Sequence, residues 1–149
     1  CPERIETFPA RKDWTDTELA IMKALEAGAG KITVLGGTGT RLDHVMGNIH
    51  LLKQALDAGA ECVLTDPHNR IRMIAGMRKL KKKEQFGKYV SLVPFTPQVT
   101  GLTLQGFAYN VENVTLEAGT RLGISNEIQD EEAVINFREG ILLVMESRD

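Results

Sequence analysis

Long apolar runs are what this 149-residue sequence lacks most plainly: the longest, Ile141 to Met145, is far short of the ~20 residues that cross a bilayer. Cysteine is scarce too. Cys1 and Cys62 are the only two, which excludes a disulfide framework and leaves no metal-ligand spacing, so both are expected to be plain thiols in a reducing compartment. No excess of one charge exists; the net charge of −2 gives no global basic field for nucleic acid or a membrane surface. A charged-then-apolar leader with a small-residue cleavage site is absent, so the expected location is cytoplasmic. An initiator methionine is absent as well. The chain opens on Cys1-Pro2 and runs directly into what reads as mid-domain sequence; processing or a missing upstream segment would each account for it.

What is present, 42% hydrophobic and 26% charged residues, is the composition of an ordinary globular protein, long enough for one domain or two small ones. Residues 1–67 alternate helix and strand signals. Thr15-Asp16-Thr17-Glu18 has the form of a capping box, followed by Leu19, Met22 and Leu25 at helical spacing, with Gly28 as the stop. "KITVLGG" reads as a short strand running into glycines. Val45, Ile49, Leu52 and Leu56 form the stripe of a second helix ending at Gly59. "ECVLT" is a buried-type strand closed by the turn "DPHN".

From His68 the period falls to about two. "RIRMIAG", "YVSLVPF", "GLTLQGFAYNV", "VTLEAGT" and the pair flanking Arg138-Glu139-Gly140 read as short strands, the last pair as a hairpin. The expected fold class is therefore α/β plus all-β: a parallel-sheet α/β part at 1–67, then a β-sandwich or barrel at 68–149. With only two strands and two helices, the α/β part leaves its sheet poorly covered, and further strands are expected upstream.

Three stretches could carry chemistry. In "GGTGTRLDH", residues 36–44, Gly36, Gly37 and Gly39 let backbone amides approach a phosphate beside a helix N-terminus. Thr40 could add a donor, Arg41 can fork onto phosphate oxygens, and Asp43 could hold a cation or orient Arg41. The plain alternative is a turn with an exposed arginine and a dipole-stabilising aspartate. In "KDWTD", residues 12–16, Asp13 and Asp16 could together offer Mg²⁺ the one or two carboxylates it takes, and Lys12 could neutralise phosphate; a capped helix with solvated charges explains the same residues. In "GISNE", Ser125 and Asn126 could read the donors and acceptors of a heterocycle, or simply make a polar turn. The basic run "RKLKKKE", residues 78–84, lacks interleaved aromatics and reads as a solvated edge strand or loop.

In that order and at compatible spacing, "KDWTD", "GGTGTRLDH" and "GISNE" resemble the motifs of the thiamin pyrophosphokinase family, and "YVSLVPF" and "GLTLQGFAYNV" resemble its β-domain. The resemblance covers essentially the whole chain. It implies Mg²⁺-dependent transfer of pyrophosphate from ATP, as co-substrate, to the hydroxyl of thiamin, giving thiamin diphosphate and AMP. It places Asp13 and Asp16 at the metal and triphosphate, and Arg41 and Asp43 with them as catalytic. Lys12, Gly36, Gly37, Gly39, Thr40 and Arg41 fall on the ATP side; Ser125 and Asn126 fall on the thiamin side. A homodimer with thiamin near the subunit interface is also implied, with residues 1–67 belonging to the catalytic domain and 68–149 forming the thiamin-binding sandwich. Two departures stand out. Thr40 replaces a glycine common in the family, and the family's upstream Gly-Asp-Phe-Asp-Ser motif is not in the chain. The expectation is thus the C-terminal three-quarters of such an enzyme; a dimeric fragment that binds thiamin or nucleotide without turnover is the alternative.

Overall fold

The structure, a computed structural model, describes residues 5–7 and 15–149; Lys12, Asp13 and Cys1 lie outside them. Helix α1 (Asp16–Glu26) begins as its sequence dictates: the hydroxyl of Thr15 accepts from the amide of Glu18 at 3.2 Å, satisfying one of the donors that a helix start leaves orphaned. Strand β1 (Lys31–Leu35), helix α2 (Leu42–Asp57) and strand β2 (Glu61–Thr65) follow. Both helices stop in the same way. Gly28 and Gly59 take positive φ, of 83° and 76°, and each closes two backbone bonds onto the preceding turn (Gly59 onto Leu56 and Ala60 onto Ala55 in the second case). That is the left-handed termination that a residue without Cβ permits.

Strands β3 (Asn69–Ile74) and β4 (Arg78–Lys81), a short 3₁₀ turn at Lys82–Glu84, and strands β5 (Tyr89–Pro94), β6 (Gln98–Gln105), β7 (Val111–Glu117), β8 (Glu132–Asn136) and β9 (Leu142–Ser147) complete the chain. They form a five-stranded sheet in the order β1-β2-β3-β9-β5 and a four-stranded sheet in the order β4-β8-β6-β7. Among the described residues only β1 and β2 run parallel; every other pair of strands is antiparallel.

The mixed α/β and all-β class stands. Two particular expectations do not. The parallel pair is not a two-stranded sheet of its own, because β2 turns through residues 66–69 straight into β3 and the sheet continues to β9 and β5. Nor are β8 and β9 a hairpin: they lie in different sheets. The reason is burial. β9 is apolar on both faces, with Leu142 and Val144 in the core between the two sheets and Leu143 in the core under the helices. Such a strand gains most in the middle of a sheet covered on both sides.

The core between the sheets gathers Val90, Leu92, Leu102, Leu104, Leu116 and Ile135. The second core packs Ile21, Ile49, Leu52 and Ala55 of the helices onto Cys62, Leu64, Ile71 and Met73. The basic run behaves as expected: Arg78–Lys81 is the edge strand β4, with Lys79 and Lys81 exposed. No helix among the described residues is long and apolar enough to cross a membrane.

Candidate functional site

Leu35 and Thr65 are register partners at the ends of the parallel strands, so the chain leaves β1 and β2 on the same edge. That carboxyl edge is where ligands of α/β sheets gather. The loop leaving β1 has two unlike halves. Its inner half is fixed. Gly37 packs so closely that a Cβ there would lie 2.4 Å from Cδ1 of buried Leu64, and its carbonyl accepts from Nδ2 of Asn48 at 2.8 Å. The Thr38 hydroxyl donates to Oδ2 of Asp66, at the end of β2. Oδ1 of Asp66 accepts in turn from the amides of His68 at 2.7 Å and Asn69 at 2.6 Å, and Nδ2 of Asn69 adds a weaker bond to each oxygen. Burial alone would raise the Asp66 pKa, but the hydrogen bonds from Thr38, His68 and Asn69 outweigh it and hold the carboxyl below its ordinary range. Its charge, and with it this clamp, is therefore complete above the usual Asp value of ~4 and is lost only as pH falls through the lower folded value.

The outer half, residues 39–44, is exposed. Nothing crowds the backbone of Gly39. Helix α2 begins at Leu42 with Arg41 in the N-cap position and no side chain capping it, which leaves first-turn amides available to an anion. Arg41 forks onto Asp43, with Nε to Oδ1 at 3.2 Å and Nη2 to Oδ2 at 2.6 Å. That bond lowers the Asp43 pKa. The two side chains are 68% and 63% exposed, so the pair holds together weakly, and an incoming phosphate can take over the guanidinium at little cost.

The first turn of α1 is seen at another place. Oε1 of Glu18 accepts from Nε2 of Gln54 at 2.9 Å. Gln54 stands about 18 Å along α2 from its first residue. That contact ties α1 to the far part of α2 rather than to the loop after β1. Asp16 lies in this first turn, exposed; Asp13 and Lys12 fall outside the described residues. Among the described residues no group of three or more acidic, histidine or cysteine side chains gathers into a metal set. Asp66 is filled by its own turn and Asp43 by Arg41, so these two carboxylates do not form a cage for Mg²⁺.

A third site lies in the β half. Ser125 has a φ of 56°, an unusual conformation for a residue with Cβ. It is held there by its amide bond to Oγ of Ser91 at 3.0 Å and by the paired backbone bonds of Asn126 and Val90 at 2.7 and 2.9 Å. Asn126 is buried, and its amide serves the backbone of Tyr109: Oδ1 accepts from the Tyr109 amide at 3.0 Å and Nδ2 donates to the Tyr109 carbonyl at 2.7 Å. Asn126 lines a cavity of about 240 Å³ together with Leu102, Leu116, Tyr109, Leu122 and Ile124, among others. Tyr109, Leu122 and Ile124 are large apolar residues left exposed at its rim.

The sequence singled out the loop at 36–44 and the turn at Ser125, but not Thr38, Asn48, Asp66 and Asn69, which hold the loop, nor Tyr109, which Asn126 fixes beside the turn. "DPHN" carried a signal, since Asp followed by Asn three positions on is a turn that binds its own backbone; what it did not reveal was the second oxygen of Asp66 reaching across to Thr38.

Residues 2–64 match the family model described as thiamin pyrophosphokinase, catalytic domain, and residues 78–142 match thiamin pyrophosphokinase, vitamin B1 binding domain. Thiamine pyrophosphokinase of Bacillus subtilis (strain 168) is 35% identical over 145 residues, a match covering 97% of this chain and 68% of that protein. The crystal structure of thiamine pyrophosphokinase from Bacillus subtilis superposes with a TM-score of 0.89 at 37% identity, covering 94% of this chain and 65% of that one. The enzyme of the same name from Geobacillus thermodenitrificans gives 0.86 at 36% identity, over 95% and 65%. The chain spans about two thirds of the length of these relatives.

Proposed function

The chain belongs to the thiamin pyrophosphokinase family, and from that premise we propose that the protein it forms transfers the pyrophosphoryl group of ATP to the hydroxyethyl oxygen of thiamin. The observation that carries this reading is the agreement of two family models with the two halves of the chain, one containing the glycine loop and the other containing the Ser125 turn. ATP and thiamin are the substrates; thiamin diphosphate and AMP are the products. The thiamin oxygen attacks the β-phosphorus of ATP, the bond from that phosphorus to the oxygen bridging it to the α-phosphorus breaks, and the hydroxyl proton passes to a base. The protein has to align the reacting ends and spread the negative charge.

Residues 1–67 are assigned to the ATP side and 68–149 to the thiamin side. In the first, the amides of Gly36, Gly37, Gly39 and Thr40 and the open start of α2 receive the triphosphate, with Lys12 added from the preceding stretch. Arg41 leaves Asp43 for a phosphate oxygen and neutralises the charge that moves onto AMP. In the second, the hydroxyl of Ser125 is assigned to thiamin beside the cavity, while Asn126 lines the cavity and fixes Tyr109 at its rim. By the family resemblance Asp13 and Asp16 would hold Mg²⁺ and it would screen the phosphates, which requires the first turn of α1 to come nearer the loop after β1 than the Glu18–Gln54 contact places it; no other step of the reading depends on it. A second copy of the chain is assigned to the exposed rim of Tyr109, Leu122 and Ile124, making a homodimer, and the location is assigned to the cytoplasm.

The test is to supply the full-length protein with ATP, Mg²⁺ and thiamin and to assay AMP. Thiamin-dependent AMP release is expected in the wild type. Arg41→Ala is expected to lower kcat/KM by about 10²-fold, the loss typical of one transition-state contact, and Asp16→Ala to lower it at limiting Mg²⁺. Undiminished turnover in either variant removes the role given to that residue.

A further inference from the structure

We propose that Asp66, through Thr38, is a positioning residue for the triphosphate: it fixes the inner half of the loop at 36–44 so that the outer half presents its amides to phosphate without having to order first. The inference rests on the reading of this loop as the ATP side.

The geometry is specific. Asp66 is the first residue beyond β2, and Thr38 lies three residues beyond β1; the in-register pairing of Leu35 with Thr65 brings them level. One oxygen of Asp66 is engaged by the backbone of its own turn, which fixes where the carboxylate points. The other receives the Thr38 hydroxyl across 28 residues of sequence. Asn48, from α2, pins the neighbouring carbonyl, and Leu64 closes the floor under Gly37. The loop is therefore clamped by three elements on its inner side and free on its outer side.

A glycine-rich loop without such a clamp would lose backbone freedom each time it bound phosphate, at a cost per residue comparable to a whole hydrogen bond. Fixing it in advance lowers the cost of binding the nucleotide and leaves thiamin binding untouched. A carboxylate suits this task. The hydroxyl of Thr38 must donate to it, since an ionised carboxylate only accepts, and the bond holds the side chain on the inner side, away from incoming phosphate.

The experiment compares Thr38→Val, which removes the hydroxyl at nearly constant shape, with Thr38→Ser, which keeps it, and with Asp66→Ala and the double variant Thr38→Val/Asp66→Ala, all in the full-length protein. The expected result is a five- to twentyfold rise in KM for ATP in Thr38→Val, the size of one charge-assisted hydrogen bond. KM for thiamin should stay within twofold, Thr38→Ser should stay near wild type, and the double variant should be no worse than Asp66→Ala alone. An unchanged KM for ATP in Thr38→Val, equal rises for both substrates, or additive effects in the double variant overturn the proposal. Because Thr38→Val is conservative and partly exposed, its melting temperature checks that the fold is intact. If the wild-type protein itself releases no AMP and binds no ATP by calorimetry, the assigned function has failed instead, which separates the two cases.

Discussion

At the scale of single residues, two neighbouring arginines on β3 have opposite standing. Arg70 makes a two-pronged bond to Glu146, Nε to Oε2 and Nη2 to Oε1, each at 2.8 Å, and Glu146 is only 1% exposed. Arg72, also buried, makes looser ion pairs, 3.7 Å to Glu61 and 3.6 Å to Glu146, and its Nε has no hydrogen-bond partner. Burial, and after it the nearby Arg78, lower the Arg72 pKa. Removing Arg70 strips a buried carboxylate of its main partner, which costs about 3 kcal/mol. Removing Arg72 takes away a desolvated charge that returns little, while Glu146 keeps Arg70 and Glu61 keeps Arg78 at 3.2 Å. Arg70→Met is therefore expected to lower the urea midpoint clearly, and Arg72→Met to leave stability within about 1 kcal/mol or to raise it. Equal losses in the two variants would show that the pairs act as one inseparable network. None of this could be read from "NRIRMI": alternation says which residues share a face, but the carboxylates that meet them come from other strands, Glu61 of β2 and Glu146 of β9.

Elements were the most legible level, and punctuation explains why. The cap at Thr15 and the stops at Gly28 and Gly59 are local chemistry, decided by a few consecutive residues, and they stand where the sequence placed them. Strand existence was equally local. Strand partnership was not: the short run around Gly140 fits a hairpin or a crossing between sheets equally well, and only the two-sided burial of β9 decides. The glycines also separate local from tertiary demands. Gly59 and Gly106 have nearly the same φ, 76° and 77°. A Cβ at Gly59 would meet nothing within 4 Å, whereas at Gly106 it would lie 2.3 Å from the backbone oxygen of Glu132. Gly59→Ala should then cost only the left-handed backbone, about 1 kcal/mol. Gly106→Ala should cost more, about 3 kcal/mol, because a backbone atom of the neighbouring strand must move as well. Thermal unfolding of the two variants side by side measures the difference, and equal shifts would contradict it.

For the whole molecule, the five-stranded sheet joins the two halves of the chain across two cores: β3, β9 and β5 extend the sheet that β1 and β2 begin. What the fold leaves uncovered then becomes informative. Tyr109 is 75% exposed, Ile124 51% and Leu122 46%, and they rim one cavity within the residues that match the vitamin B1 binding domain. Scattered exposed apolar residues are normal; three around one cavity beside a strained serine are the kind of patch that a partner covers. If a second copy of the chain covers them, placing a carboxylate at the rim penalises the dimer and the thiamin site together, because an unpaired charge would have to be desolvated. Leu122→Asp and Ile124→Asp are expected to shift sedimentation toward the monomer and to raise KM for thiamin at least fivefold, with KM for ATP unchanged. Both positions are exposed in the single chain, so the fold itself should survive, and circular dichroism can verify that it does. A wild-type protein that sediments as a monomer with normal thiamin turnover would remove the second copy from the site. A dimer weakened with no change in KM for thiamin would keep the interface but detach it from thiamin binding.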